Sequence, residues 1–350
     1  MKTITESNAA TNTKSSMTAY VINAYGEHAT FVQETVTKPS VVAGHVLIEV
    51  KATSLNPADH KILKTGSGIS PQLPSAILHG DVAGVVAEVG GGVTEFAVGD
   101  EVYGCAGGFQ GVAGNLPGAL ADYMLVDTDL IAHKPKTLNF AEAAALPLVS
   151  IAAWEGLFSR AAISSNDTVL IHGGTGGVGH IALQLAKQHG ARVVATVSTQ
   201  SKADIAIALG ADETVLYRDE AVENYVQRLT NGNGFDVVFD TVGGESLDKS
   251  LQAAAIGGQV VGIMAKEQHD LLPMHLKGLS LHIVMMLLPM LTGKNRVFHQ
   301  HILREVAQLV DEKKIRPLLH EQRFTFSQAN EAHALYASGQ YSGKIVLENK

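Results

Sequence analysis

A glycine-rich loop between a predicted strand and a predicted helix constrains this chain more than any other feature of its sequence. The loop spans residues 172–179 and places Gly174, Gly176 and Gly179 in the spacing G-x-G-x-x-G. In this spacing the first glycine allows a tight turn, the second lets the backbone approach a pyrophosphate, and the third lets the helix pack closely on the strand. The helix start adds unpaired N–H groups that suit phosphate groups. We therefore predict a dinucleotide site formed by Gly174, Thr175, Gly176, Gly177, Val178 and Gly179.

The segments around this loop predict a doubly wound α/β domain. Strand-like and helix-like segments alternate from residue 168 to residue 264, and the strands are continuous apolar runs such as those within 192–197 and 235–240. Such runs are typical of a parallel sheet with helices on both faces.

The segments on either side have a different pattern. Between Met17 and about Lys136, short alternating or β-branched runs are separated by turns that contain Gly, Pro or Asp, which is typical of a small barrel-like antiparallel domain. The C-terminal segment returns to mixed helices and strands, and we expect it to rejoin the N-terminal domain. The predicted organisation is a disordered tail at 1–16, a mostly antiparallel β domain at 17–148 and 292–350, and the nucleotide-binding domain at 149–291.

The end of the second strand of the nucleotide-binding domain indicates which dinucleotide is bound. Sites for NAD usually carry Asp or Glu there to hold the ribose hydroxyls, whereas residues 195–200 contain no acid. Hydroxyl and cationic side chains suit a 2′-phosphate instead. We predict NADPH as the cofactor, with Ser198, Thr199, Lys202 and Tyr217 near its 2′-phosphate. The alternative is that Lys202 and the neighbouring Arg218 are ordinary surface charges.

Composition excludes several classes of partner and location. The formal net charge is -8, which disfavours binding to nucleic acid. The single cysteine, Cys105, excludes an internal disulfide and a cysteine-built metal site. The polar N-terminal residues lack the apolar core of a signal peptide, and the longest apolar run, 283–291, is too short to span a bilayer. We expect a cytoplasmic protein with no membrane contact and a small-molecule substrate.

Several motifs, taken in order and spacing, resemble the medium-chain dehydrogenase/reductase superfamily, specifically the zinc-free quinone oxidoreductases of the zeta-crystallin type. They are Asn56-Pro57-Ala58-Asp59, residues 79–90, residues 98–104, Leu146-Pro147, residues 153–157, the glycine loop, residues 235–244 and residues 343–347. The resemblance implies a GroES-like catalytic domain built from both chain ends, with a Rossmann domain inserted between them. It also implies a cleft for nicotinamide and substrate, and a homodimer or homotetramer.

The same resemblance predicts that no zinc ion is bound. The zinc enzymes of this superfamily carry a catalytic cysteine where this chain has Asn56 and a ligand histidine where it has Gly80. A catalytic zinc ion needs three protein ligands and one open position. His299 and His301 do not replace them, because residues two apart on a helix point in nearly opposite directions. We interpret both as surface histidines.

Three residues on one turn are predicted to be catalytic: Asn56, Asp59 and Lys61. The resemblance places this turn opposite the nicotinamide, with Asn56 as an orienting amide and Lys61 as a partner for a developing oxyanion. A structural alternative exists for two of them. Asn56 and Pro57 are also a favourable helix start, and Asp59 in the first turn suits the helix dipole.

The predicted function is reduction of quinones or α,β-unsaturated carbonyl compounds by NADPH without zinc. Such electron-poor acceptors take up hydride readily when they are held against the nicotinamide, whereas an unactivated alcohol is difficult to oxidise without a Lewis acid. Two alternatives are a zinc-free enzyme that resembles an alcohol dehydrogenase, and a protein that binds NADPH for a structural or sensing role.

Overall fold

The computed structural model describes residues 15–112 and 114–350 of the 350-residue chain. Its strands are β1 Ser16–Ile22, β2 Val32–Thr37, β3 His45–Ser54, β4 Ala76–Ile77, β5 Asp81–Val89, β6 Glu101–Cys105, β7 Phe109–Gly111, β8 Gly114–Leu116, β9 Tyr123–Asp127, β10 Ile131–His133, β11 Thr168–His172, β12 Arg192–Val197, β13 Glu213–Leu216, β14 Phe235–Asp240, β15 Ala254–Gly262, β16 Ser280–Ile283, β17 Phe324–Thr325 and β18 Val346–Glu348. Its α-helices are α1 Pro57–Thr65, α2 Phe140–Ala144, α3 Pro147–Trp154, α4 Gly177–Gln188, α5 Gln200–Ala208, α6 Val222–Thr230, α7 Glu245–Ala253, α8 Leu272–Lys277, α9 Leu288–Thr292, α10 Val297–Asp311 and α11 Ala329–Ser338. A π-helix, Glu155–Arg160, continues α3.

The N-terminal strands form a mostly antiparallel β domain centred on β3. Its larger sheet has the order β10-β6-β5-β3-β18-β17, and β9 also pairs with β3. A second sheet has the order β2-β1-β4. Along β1, Met17, Ala19 and Val21 are buried while Thr18 and Tyr20 are half-buried, because successive side chains of a strand point to opposite faces.

The nucleotide-binding domain contains a parallel sheet in the order β13-β12-β11-β14-β15-β16. This is the order of the doubly wound fold, in which two strand–helix series extend outward from the middle of the sheet. The predicted doubly wound domain is therefore confirmed. The helical stretch that precedes it divides into α2 and α3, because Pro147 lacks an N–H donor and is tolerated only at the start of a helix.

The end of the chain returns to the N-terminal domain. β18 pairs antiparallel with β3, with Leu347 opposite Thr53. The first and last parts of the chain thus share one sheet, as expected from the sequence. The domain boundaries at 148/149 and 291/292 stay predictions. Of the predicted tail, residues 1–14 lie outside the described residues, and β1 already begins at Ser16.

β16 forms one edge of the parallel sheet. Ile283 at its end and Leu288 beyond it are 45% and 50% exposed. The longest helix, α10, has 15 residues, and no helix in the described part of the chain is long and apolar enough to cross a membrane.

Candidate active site

The glycine loop lies at the carboxyl edge of the parallel sheet, between β11 and α4. Helix α4 begins at Gly177, with Gly176 as its N-cap residue. Two backbone hydrogen bonds fix the loop: Gly174 N–H donates to the carbonyl oxygen of Thr196 at 3.0 Å, and Gly176 N–H donates to that of Gly173 at 2.8 Å. The first N–H groups of α4 have no partner within the helix and can hold phosphate oxygens.

Two positions of the loop leave no room for a side chain. A Cβ atom on Gly179 would lie 2.1 Å from the carbonyl oxygen of Gly173, and one on Gly174 would lie 2.6 Å from the Cβ of Ala195. Gly173 itself has a φ of +71°, a conformation that favours glycine. Helix α4 therefore packs directly against the turn, and the loop fits a dinucleotide pyrophosphate. The individual contacts predicted for residues 174–179 stay predictions.

The residues predicted for the 2′-phosphate lie at one edge of the parallel sheet: Ser198 and Thr199 follow β12, Lys202 lies in the first turn of α5, and Tyr217 follows the neighbouring strand β13. The hydroxyl oxygen of Thr199 caps α5 by accepting the backbone N–H of Lys202 at 3.3 Å. Tyr217 is exposed, and the guanidinium of Arg218 stacks on its ring at 5.7 Å. Ser198 is half-buried beside them. The structure thus brings these residues together, and their contact with a phosphate stays a prediction.

A second polar group surrounds the carboxylate of Asp81, which is fully buried at the start of β5. Its Oδ2 accepts hydrogen bonds from the Ser54 hydroxyl at 2.7 Å and from the Asn56 amide at 2.8 Å, and its Oδ1 accepts the backbone N–H of Leu148 at 2.9 Å. The ammonium of Lys344 lies 3.4 Å from Oδ2 and also donates to Oδ1 of Asn56. A carboxylate removed from water needs such partners, because an uncompensated buried charge is costly.

Asn56 and Asp59 both lie at the start of α1. Asn56 is the N-cap residue, Pro57 is the first helical residue, and the carboxylate of Asp59 accepts the backbone N–H of Asn56 at 2.8 Å. The helix start that the sequence predicted is therefore confirmed. Asp59 is 1% exposed, and burial raises its pKa to about 7. A carboxyl group with this pKa can hold or release a proton near neutral pH.

The lysine that contacts Asn56 is Lys344, whereas the predicted Lys61 is exposed on α1. The oxyanion role of Lys61 stays a prediction. Sequence reasoning missed Lys344 because residues 343–347 served only as part of the family resemblance. A signal was present: a lysine beside the apolar run 345–347 is expected to need a buried partner.

One interpretation of the histidines needs correction. His301 is exposed, as expected of a surface histidine, but His299 is fully buried on the inner face of α10. Burial disfavours the charged imidazolium and lowers the pKa of His299 to about 4.

A chain of three histidines, which the sequence did not indicate, lies in the N-terminal domain. Nε2 of His79 is 3.0 Å from Nε2 of His333, and Nδ1 of His333 is 3.3 Å from Nδ1 of His60. The chain connects the segment between β4 and β5 to α11 and α1, and His79 at one end of it is fully buried.

The residues present do not fit a catalytic zinc ion. At Gly80, where the resemblance places a ligand histidine, a Cβ atom would lie 3.0 Å from both the carbonyl oxygen of Gly107 and Cε2 of Phe109. The Sγ atom of Cys105 would be 3.2 Å away. The other ligand position holds Asn56, whose amide oxygen accepts a hydrogen bond from Lys344 and whose amide nitrogen donates one to Asp81. Within residues 15–112 and 114–350, no three His, Cys, Asp or Glu side chains are grouped to hold a metal ion.

Comparison with known proteins places this arrangement in a family. A model described as "Alcohol dehydrogenase GroES-like domain" matches residues 42–136, and one described as "Zinc-binding dehydrogenase" matches residues 209–347. The 2-methylene-furan-3-one reductase of Solanum lycopersicum is 33% identical over 349 residues, which cover 98% of this chain and 81% of that protein. The chain belongs to the medium-chain dehydrogenase/reductase superfamily. The resemblance seen in the sequence is thereby confirmed.

Other members of the medium-chain dehydrogenase/reductase superfamily support the assignment. The chloroplastic NADPH-dependent alkenal/one oxidoreductase of Arabidopsis thaliana is 36% identical over 250 residues, which cover 71% of this chain and 62% of that protein. An alcohol dehydrogenase superfamily protein from Novosphingobium aromaticivorans superposes with a TM-score of 0.89 at 36% identity and covers 95% of this chain and 100% of its own. The quinone oxidoreductase of Coxiella burnetii superposes with a TM-score of 0.78 at 27% identity and covers 96% and 100%. The predicted fold, a GroES-like domain with an inserted Rossmann domain, is confirmed.

Proposed function

We propose that this medium-chain oxidoreductase transfers hydride from NADPH to quinones or α,β-unsaturated carbonyl compounds without a zinc ion. The observation that carries the proposal is the filled space at Gly80, beside a glycine loop that fits a dinucleotide. An unactivated alcohol needs a Lewis acid for its oxidation, whereas a conjugated acceptor is already electron-poor. Relatives named for an alkenal/one, a furanone and a quinone support the same class of acceptor.

The residues of this chain have separate tasks in the proposed reaction. NADPH supplies the hydride when it is bound. The glycine loop and the start of α4 hold its pyrophosphate, and Ser198, Thr199, Lys202 and Tyr217 hold its 2′-phosphate. The name of the Arabidopsis relative supports NADPH over NADH.

Hydride transfer leaves negative charge on the acceptor oxygen, and a proton must then be added. We assign stabilisation of this oxygen to Asn56, since Asp81 engages only one of the two hydrogens of its amide nitrogen. Asp59 is the nearby group whose pKa suits proton transfer at neutral pH. Lys61 is the second candidate for the charge on oxygen.

We also propose that the protein is a homodimer or homotetramer. The edge strand β16 and the exposed apolar residues Ile283 and Leu288 support association through this edge of the nucleotide-binding domain.

The reaction is tested by following NADPH oxidation with a panel of enones, alkenals and quinones, and NADP⁺ reduction with simple alcohols. We expect the conjugated acceptors to be reduced, the alcohols to give almost no turnover, and the purified protein to contain far less than one zinc ion per chain. Asn56→Ala should lower turnover more than it weakens NADPH binding. Lys61→Ala is measured beside it, because Asn56 and Lys61 are the two candidates for stabilising the negative charge on the acceptor oxygen. Faster oxidation of an alcohol than reduction of any conjugated acceptor, or activity lost to a chelator, would falsify the proposal. NADPH binding without any turnover would favour the structural or sensing role.

A further inference from the structure

Lys344 is the most completely buried lysine ammonium near the candidate active site. The residue is 3% exposed, and it precedes β18. Its Nζ donates to the carbonyl oxygen of Leu55 at 3.1 Å and to Oδ1 of Asn56, and it lies 3.4 Å from Oδ2 of Asp81. An ammonium has three N–H donors, and all three are directed at protein acceptors. Lys344 therefore has no donor left for a substrate.

Lys344 and Asp81 together fix the orientation of the Asn56 amide. The ammonium of Lys344 donates to the amide oxygen of Asn56. The carboxylate of Asp81 accepts from the amide nitrogen, with Nδ2 of Asn56 2.8 Å from Oδ2 of Asp81. A 180° rotation of the amide would place its nitrogen against the ammonium and its oxygen against the carboxylate. The two buried charges thus determine that the remaining free group of Asn56 is an N–H donor.

Lys344 and the neighbouring Gly343 also connect the turn at Asn56 to the glycine loop. The N–H of Gly343 donates to the carbonyl oxygen of Thr175 at 3.4 Å. A Cβ atom on Gly177 would lie 3.5 Å from Cδ of Lys344. On the other side, Asp81 accepts the N–H of Leu148 in α3. The side chain of Lys344 therefore lies beside the glycine loop as well as at the turn at Asn56, and Asp81 joins that turn to α3.

We propose that Lys344 is a positioning residue that, paired with Asp81, orients the Asn56 amide and holds the Asn56 turn against the glycine loop. This inference rests on the proposed function, in which Asn56 contacts the acceptor. Lys344 acts through Asn56 and does not touch the substrate. Misplacement of a group in a hydride-transfer site by about 1 Å can lower turnover by about a hundredfold.

The test must separate positioning from folding, since removing one charge leaves the other buried and unpaired. Lys344→Met is therefore compared with the double variant Asp81→Asn/Lys344→Met, in which neither charge remains. Lys314→Met, which removes an exposed lysine paired with Glu312 at 2.7 Å, is the matched control. Turnover, acceptor KM, the NADPH dissociation constant and the melting temperature are measured for each.

We expect the double variant to melt within a few degrees of the wild type and to bind NADPH within about threefold, yet to turn over about a hundredfold more slowly. The control should match the wild type in all four quantities. A double variant with wild-type turnover overturns the inference, and so does a turnover that only follows the melting temperature through the series.

A readout without an acceptor keeps this inference separate from the proposed function. Hydrogen exchange of the backbone amides in residues 56–65 is measured with and without NADPH. We expect NADPH to slow exchange in the wild type and in Lys314→Met but not in the double variant. If the wild type reduces no acceptor, the proposed function fails, and the inference about Lys344 is then tested by hydrogen exchange alone. If NADPH slows exchange equally in the wild type and in the double variant, the inference is overturned.

Discussion

Lys202 lies in the first turn of α5, which follows the carboxyl end of β12, where the chain offers hydroxyl groups and cations. Its backbone N–H is already fixed by Thr199, so the start of its side chain has a defined position. A 2′-phosphate carries about two negative charges, which the ribose hydroxyl of NADH lacks. A contact that depends on this phosphate therefore discriminates between the two cofactors.

Lys202→Ala should weaken NADPH binding by roughly ten- to a hundredfold, since a charge-assisted contact contributes about 1.5–3 kcal/mol. NADH binding should stay nearly unchanged. The dissociation constants of both cofactors can be measured by fluorescence or calorimetric titration. Lys187→Ala, which removes a lysine paired with Asp212, is the control and should change neither value. Equal weakening of NADPH and NADH by Lys202→Ala would refute the assignment.

Among the elements, β16 is one of the two edge strands of the parallel sheet, the other being β13. The partner of β16 is β15, and no other strand within residues 15–112 and 114–350 pairs with its outer edge, where N–H and C=O groups are available for pairing. The apolar residues Ile283 and Leu288 are about half exposed at the same place. Pairing with the same strand of a second copy around a twofold axis would cover both the edge and the apolar side chains.

Ile283→Lys should therefore shift the protein from a dimer or tetramer towards monomers. The added charge would have to be buried in the interface, which costs free energy unless it is paired. Molar mass by light scattering or sedimentation at micromolar concentration measures the change. Ile207→Lys, at a similarly exposed isoleucine on α5, is the control and should keep the assembly of the wild type. A wild type that is monomeric under these conditions contradicts the proposal.

For the whole molecule, buried histidines determine how stability responds to acid. Burial lowers the pKa of His79 to about 3 and the pKa values of His172, His180 and His299 to about 4. In the unfolded chain histidine titrates near about 6.5. Between these values the unfolded chain binds more protons than the folded one, so stability rises with pH. Asp59 has the opposite effect, because its raised pKa lets the folded chain hold the extra proton, but it is one group against four.

We therefore expect the contribution of the histidines to be complete above pH 6.5 and the melting temperature to fall as the pH decreases from there towards about 4. His299→Leu should make this dependence shallower, since a pKa lowered from 6.5 to about 4 corresponds to about 3 kcal/mol at the acid end. His301→Leu, at an exposed histidine two residues away, is the control and should leave the dependence unchanged. Melting temperatures across the pH range measure both. If the melting temperature of His299→Leu depends on pH as steeply as that of the wild type, His299 does not contribute to the loss of stability in acid.

The parts of the fold that depend on local pattern were predictable. The glycine spacing at 174–179 predicted a strand, a tight turn and a helix, and all three are present. The continuous apolar runs predicted the parallel sheet, and the pair Asn56-Pro57 predicted the start of α1. The prediction that His299 lies on the surface was wrong, because the sequence of α10 does not show which side of the helix packs against the rest of the protein.

The sequence by itself determined the doubly wound domain, the shape of the glycine loop and the presence of Asn56 and Gly80 where zinc enzymes carry ligands, because turn geometry, strand burial and side-chain chemistry are encoded within a few neighbouring residues. Which charged groups lie in contact was determined only by the tertiary structure. Lys344 contacts Asn56 across 288 positions of sequence, and His333 contacts His79 across 254. Such contacts form because β18 returns to β3 and because a buried charge or imidazole is stable only where the fold supplies its partner.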